Sequence, residues 1–300
     1  MAVYDCCMFL NENDIYEIRI NEHWDFVDKF IVLEAGETHT GMKKSFNFDV
    51  KRFEAYSEKL IYITFDNFEE EMEKYPELDC PLGRELHKNA EAWGRDHFQG
   101  NYLSKILFDL GAKDDDIVYI SSADEIISKD AFERAAKRFE DKASLFFGVD
   151  TRTNKVLLPG VGLRPVFGFH MRYYIYKLNL YPKNLDWVIA GMITEVGNFR
   201  KVLPATIRSL GLTTHDHIGN GGWHFTFQDN TNGEMVYTKQ HSWAHAFDGL
   251  EGHRRADTKT PEEALARLSL EYPLTSMVIT PETHPEYILN NLNRFRNYIV

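Results

Sequence analysis

Cysteine is scarce in this 300-residue chain: Cys6, Cys7 and Cys80 are the only three. An odd count with an adjacent pair in an apolar segment makes no disulfide framework and fits a reduced compartment. Long apolar runs are missing too. No stretch approaches the roughly 18 apolar residues of a spanning helix. The N-terminal MAVYDCCMFL is broken by Asp5 and has neither a basic lead nor a small-residue cleavage site. With Met1 at its head, the chain reads as soluble and cytoplasmic, without a membrane span. Basic residues are outnumbered, 34 Lys and Arg against 46 Asp and Glu, for a formal charge of −12. A face that coats nucleic acid or anionic lipid needs the opposite balance. Also absent are the G-x-x-x-x-G-K-[ST] phosphate loop, the G-x-G-x-x-G dinucleotide fingerprint and the G-x-S-x-G elbow. These absences count against P-loop ATPases, Rossmann dehydrogenases and α/β-hydrolases. No repeat, low-complexity tract or linker divides the chain, so residues 1–300 read as one domain.

What is present is a globular composition, 43% apolar and 14% aromatic. The first half alternates strands and helices. Tyr4 to Leu10, Phe30 to Leu33, Leu60 to Phe65, Ile117 to Ile120 and Leu145 to Val149 read as strands. Helices are expected over 14–29, over 84–110 with Gly111 behind it, and from Lys129 to about Glu140 under a Ser128 cap. Further on, Thr260-Pro261-Glu262-Glu263 opens another helix and 286–299 closes the chain as one. This order predicts an α/β fold with a mostly parallel central sheet and flanking helices. In such sheets ligands bind beyond the carboxyl ends of strands, which directs attention to the loops after Leu33 and Ile120.

IVYISSADEI (117–126) is the sharpest local feature: an apolar strand runs straight into Ser122-Ala123-Asp124-Glu125. Carboxylates there can hold Mg²⁺ or Mn²⁺ against a diphosphate, since hard cations prefer oxygen; they also suit a plain acidic loop before the helix capped by Ser128. Six of the twelve histidines, His215, His217, His224, His241, His245 and His253, fall within 39 residues. Each taken singly reads first as a packed or surface residue; as a group they offer an imidazole ligand. The Gly219–His224 loop brings glycines that let backbone approach a ligand, and Trp223, whose face suits a sugar ring; equally it is a turn before a strand. Trp93-Gly94-Arg95-Asp96 places an arginine where it reaches a phosphate or lines a solvated helix face. Tyr173, Tyr174, Tyr176, Tyr181 and Trp187 read as core packing ahead of an acceptor groove.

Several segments, in order, resemble glycosyltransferase family 17. DCCMFLNENDIYEIRINE with VDKFIVLEA and THTG is similar to that family's opening strand, helix and second strand. AWGRDHFQ resembles its Trp-x-Arg-Glu-x-x-Gln helix, and DDDIVYISSADEI its strand ending in Asp-x-Asp-Glu-Ile. GGWHF resembles its Gly-Trp-His motif, Lys239 to His245 is similar to the family's stretch downstream of that motif, and PEYILNNLNRF resembles its closing helix.

The resemblance implies a GT-A-type nucleotide-sugar-binding fold. It also implies an inverting transfer of a sugar, GlcNAc first, from a UDP-sugar to a carbohydrate acceptor with Mn²⁺ (or Mg²⁺). It puts Asp124 at the second Asp of the metal motif, His224 at the His of Gly-Trp-His and Arg95 at the Arg of the long helix. Taken with the residue readings, Asp124, His224 and His245 are expected at the metal and Asn11, Glu34, Arg95, Asp124 and Trp223 at the donor; Glu34, at the end of the second strand, reads equally as a surface acid. The carboxylate base that deprotonates the acceptor is left open among Glu125, Asp186, Glu195 and Asp248. The chain departs from the pattern at three places: Ser122 stands at the first Asp of the metal motif, Asp96 at the Glu after Arg95, and Gly100 at an Arg. Those departures keep open a catalytically inactive sugar- or nucleotide-binding protein on the same fold. The histidine cluster keeps open a metal-dependent hydrolase.

Overall fold

A computed structural model describes residues 1–79, 90–140, 149–150, 155–156, 163–211, 217–248 and 252–300. Cys80, the start of the 84–110 helix, strand residues 145–148 and His215 lie outside the described residues.

Four parallel strands form one half of the main sheet: β1 (Val3–Phe9), β2 (Lys29–Ala35), β3 (Leu60–Phe65) and β4 (Ile117–Ser122). Two are near-continuous apolar runs because helices cover both faces. Alternation along β1 shows how. Cys6 and Met8 pack with Ile31, Leu33 and Phe98 on one face, while Cys7 and Phe9 pack with Phe30, Val32 and Tyr16 on the other. Burying each large apolar side chain contributes about 1.5–3 kcal/mol. Both thiols are buried, and burial pushes Cys7 up to about 12, so neither offers a thiolate.

Helix α1 (Asn13–His23) returns from β1 to β2. It stops short of the expected residue 29 because the chain must turn to place Lys29 beside Tyr4 in the β1–β2 register. Helix α2 (Phe68–Lys74) comes after β3, capped by the Asn67 side chain accepting from the Glu70 amide. The long helix α3 spans Ala90–Asp109 among the described residues.

Beyond β4 come β5 (Glu125–Ile127), α4 (Lys129–Glu140) with the Ser128 hydroxyl accepting from the Ala131 amide, and a short pair β6 (Val149–Asp150) and β7 (Lys155–Val156). Strands β8 (Val166–Ile175), β9 (Leu180–Pro182), β10 (Trp187–Glu195), β11 (His217–Thr226) and β12 (Leu274–Ser276) complete the set, with helices α5 (Pro204–Gly211), α6 (Glu234–Ser242), α7 (Pro261–Glu271) and α8 (Glu286–Asn290). The main sheet runs β3-β2-β1-β4-β10-β8-β11-β5. Only β10 and β5 run against the rest, so the sheet is mostly parallel as expected. The closing helix is cut short at Asn290. Asn290, Asn291 and Asn293 favour side-chain bonds to nearby backbone, and the Asn291 amide donates to the Tyr287 carbonyl.

Candidate functional site

A cleft of about 470 Å³ opens at the carboxyl ends of β1, β2 and β4. Its floor includes Phe9, Ala35, Ser122 and Asp124; α3 supplies one wall, and α6 with Trp243, Ala244, His245 and Arg255 the other. This is the place that the strand order of an α/β sheet assigns to a ligand.

Asp124 sits in the turn between β4 and β5 and is 1% exposed. Lys239 Nζ lies 2.5 Å from its Oδ2, and His224 Nε2 lies 3.6 Å from its Oδ1. Burial alone would raise the pKa of Asp124. The charges of Lys239 and His224 outweigh it and hold the carboxyl far below its usual range. Lys239 also faces Glu12 Oε1 at 3.5 Å. Burial disfavours its charge, the two carboxylates more than compensate, and its pKa rises.

Local sequence explains these positions. β11 and β5 run so close that a Cβ on Gly222 would lie 2.1 Å from the Ile126 carbonyl oxygen, at a backbone φ of +135°. Only glycine fits there. Gly222 therefore serves strand approach, which sets His224 opposite Glu125. Lys239 is delivered by α6, whose first turn is held by buried Asp229 accepting from the amides of Gly233, Met235 and Val236.

The turn carrying Asp124 is fixed from below. Arg19, fully buried, donates to the carbonyls of Ser122 (2.7 Å) and Glu125 (3.0 Å). It is neutralised by Asp5, which also meets His23 Nδ1 at 2.6 Å. The Tyr119 hydroxyl donates to the same Glu125 carbonyl.

Of the donor residues expected from sequence, Asp124 alone lines the cleft. Trp223 does not, because strand alternation turns it away from His224; its Nε1 donates to the Thr283 carbonyl and its ring packs near Ile126 and Phe225. Glu34 is fully buried and spent on structure. It pairs with Lys44 and accepts from the Asn47 and Phe48 amides and the Tyr62 hydroxyl. Arg95 donates to the His39 carbonyl and holds that loop. Asn11 lies between the lining residues Leu10 and Glu12 without lining the cleft itself.

Among the expected bases, Glu125 lines the cleft, held by Arg208 at 2.7 Å. Glu195 pairs with Ile117 at the far end of β4, five residues and roughly 16 Å from Ser122, and binds Arg164. That distance removes it from the site. Asp186 does not line the cleft; its carbonyl accepts from the Tyr173 amide. Asp248 is exposed beside His245, with Oδ2 2.5 Å from His245 Nδ1.

Of the expected metal ligands, Asp124 and His224 come together and His245 does not; His245 lies between Trp93 and Trp243. Among the described residues no three of His, Cys, Asp and Glu gather as a metal-holding group. The remaining pair still suits a divalent cation. Two ligands each about 2.1 Å from one ion sit about 3.0–4.2 Å apart, and such ions take one or two protein ligands plus phosphate oxygens and water. The 3.6 Å separation falls in that range. Sequence reasoning missed Lys239 as a partner of Asp124, Arg208 as a partner of Glu125, and Glu12. Their partners are remote in sequence, and strand or helix period does not signal such contacts.

The solved 4-diphosphocytidyl-2C-methyl-D-erythritol synthase is similar at 9% identity over 73% of this chain and 89% of its own, with a TM-score of 0.36. A mycobacterial protein is similar at 11% identity over 80% and 72%, also at 0.36. No curated protein matches the chain. No helix among the described residues is long and apolar enough to cross a membrane. Residues 1–138, which carry β1 to β4 and the Asp124 turn, match the model of glycosyltransferase family 17, and this match supports membership of that family.

Proposed function

We propose that this chain is an inverting glycosyltransferase that moves a sugar, GlcNAc first, from a UDP-sugar to a hydroxyl of a carbohydrate acceptor, forming a β-linkage with Mn²⁺ or Mg²⁺ assistance. The observation that carries the reading is the Asp124–His224 pair, set at the carboxyl end of β4 inside the main cleft. The family match supports the transferase class; donor, metal and linkage are the proposal.

In this reading Asp124 and His224 would hold the cation, which would supply neutralising charge for the departing diphosphate. The acceptor oxygen forms a bond to the anomeric carbon from the face opposite UDP. The carbon–oxygen bond to the β-phosphate breaks, and its electron pair leaves with UDP. The acceptor's proton passes to a carboxylate. Arg208, with an unpartnered buried Nε, and Lys239 bring positive charge into the cleft from α5 and α6. The apolar floor from Phe9 to Ala35 excludes water from one side.

Calorimetric titration with UDP in Mn²⁺ tests the reading. Wild type is expected to bind, and Asp124→Ala to lose metal-dependent affinity by at least about 100-fold. Unchanged affinity in the variant would remove Asp124 from the site. A second reading, a sugar- or nucleotide-binding protein without catalysis, is favoured by Ser122 and by the ammonium already on Asp124. Release of UDP from a UDP-sugar in Mn²⁺ counts against it.

A further inference from the structure

Five carboxylates line the cleft among the described residues: Glu12, Glu37, Asp96, Asp124 and Glu125. Four are engaged. Glu12 Oε2 accepts from the amides of Leu10 and Asn11, and its other oxygen faces Lys239. Glu37 accepts from the Phe68 amide at the start of α2. Asp124 is matched with Lys239 and His224, and Glu125 with Arg208 and the Ser122 amide.

Asp96 differs. Among the described residues its carboxylate accepts no hydrogen bond, and its ionic neighbour is His39 Nδ1 at 3.4 Å. Its side chain stays 20% exposed, toward the cleft. Burial would raise its pKa, but His39, His97, Arg208 and His245 outweigh burial and lower it, so the group is ionised at neutral pH.

Position adds a second argument. On α3, residues 93, 96, 97 and 100 share one face by helical spacing, and all four line the cleft. Trp93 meets His245 edge to face at 4.5 Å, and Trp243 lies 4.8 Å from the same imidazole. These rings form an aromatic wall of the kind on which the apolar face of a sugar rests. Gly100 keeps the next turn open: a Cβ there would meet only Met8 Sδ, at 3.8 Å. The Asp124 end suits the diphosphate; the Asp96 end offers aromatic rings and a carboxylate that accepts no hydrogen bond and pairs with His39.

We infer that Asp96 is the general base, accepting the acceptor hydroxyl's proton as its oxygen attacks the anomeric carbon, with Trp93, Trp243 and His245 forming the acceptor platform. This rests on the transferase reading above and replaces the open choice among bases. The proton ends on Asp96, and the electron pair of the broken carbon–oxygen bond leaves on UDP.

The test uses UDP-GlcNAc with Mn²⁺, water as acceptor and UDP release as the signal. Azide serves as a second nucleophile, because it attacks without losing a proton and gives a glycosyl azide plus UDP. Asp96→Asn should release UDP at least about 100-fold more slowly than wild type. Its calorimetric affinity for UDP should stay within about twofold, and its melting temperature should fall by no more than about 4 °C, since what is lost is the part-exposed ion pair with His39. Azide should restore release in Asp96→Ala and yield the azido sugar by mass spectrometry, and Asp96→Glu should retain activity.

Wild-type rates in Asp96→Asn would overturn the inference. So would loss of UDP affinity together with rate, which would make Asp96 a donor contact. A wild type that binds UDP yet releases none, with or without azide, overturns it while leaving donor binding intact. A wild type that does not bind UDP at all overturns the transferase reading and the inference with it.

Discussion

Two aspartates lie in or beside neighbouring strands of one sheet, Asp5 in β1 and Asp124 just after β4, and each is matched with one long cation and one histidine. The chemistry is the same and the access is not. Asp5, Arg19 and His23 have side chains at most 1% exposed, and Arg19 is further tied to two backbone carbonyls. Asp124 is as buried, but Lys239 and His224 retain 13% and 19% exposure and open onto the cleft. The closed cluster can only hold structure. The open one can exchange its partners for a ligand. Arg19 joins them, because the carbonyls that it grips bracket Asp124. A buried ion cluster thus serves as the base plate for an exposed one, and the contrast can be broken by experiment.

The largest effect is expected at the closed cluster. Asp5→Ala leaves the Arg19 guanidinium buried without its counter-charge, which costs about 3–5 kcal/mol. Asp124→Ala frees a lysine with a flexible stem, Glu12 nearby and cleft water in reach, and should cost about 1–2 kcal/mol. Urea denaturation of both variants checks the ordering. Equal losses would mean that the two clusters are alike in their role as well as their composition.

Acid gives the next effect. Burial would raise the pKa of Asp5, but Arg19 and His23 outweigh it and bring it to about 2. A folded-state pKa below the unfolded value of about 3.9 stabilises the fold above that pH, and the contribution fades as pH falls toward 2. A shift of about two units corresponds to about 2–3 kcal/mol. Denaturant midpoints measured from pH 5 to pH 2 should fall for this reason, and Asp5→Asn, less stable at neutral pH, should show a flatter decline.

How much of this is legible in the sequence depends on the reach of each signal. β2 and β4 are readable because a strand buried on both faces is written as an apolar run, as in FIVL and IVYI; β1 carries Asp5 inside such a run, and the half-buried edge strand β3 is readable from the β-prone LIYITF. β11 is not, since its sequence mixes Gly, Asn and His, and β10 is interrupted by Gly191; the strand state of β10 is fixed by partners far along the chain, such as Ile193 on Tyr119. At the site, Asp124 is legible from its place after an apolar strand, and His224 from the Gly-Trp-His segment. Trp223 misleads because the same segment does not say which face each residue takes. Glu34 misleads because an acid at a strand end looks free until the amides of residues 47 and 48 are seen to claim it. Lys239 is 115 residues from Asp124, so no local pattern announces that contact.

That lysine carries the smallest and most discriminating prediction. In the free protein its ammonium holds one oxygen of Asp124, and a divalent cation must share the carboxylate with it or displace it. Like charges this close repel by several kcal/mol even at an effective dielectric of about 20, though the flexible stem lets Lys239 swing toward Glu12 and relieve most of that. Lys239→Gln keeps a donor for Asp124 and removes the charge. Mn²⁺ binding without nucleotide should therefore tighten by about tenfold, or about 1.4 kcal/mol, as read by electron paramagnetic resonance titration. UDP affinity should move the other way, because the departing charge loses a cation on its wall. Should both affinities fall together, Lys239 would be a scaffold for Asp124, the counterpart of Arg19 under Asp5, and the open cluster would prove to be closed as well.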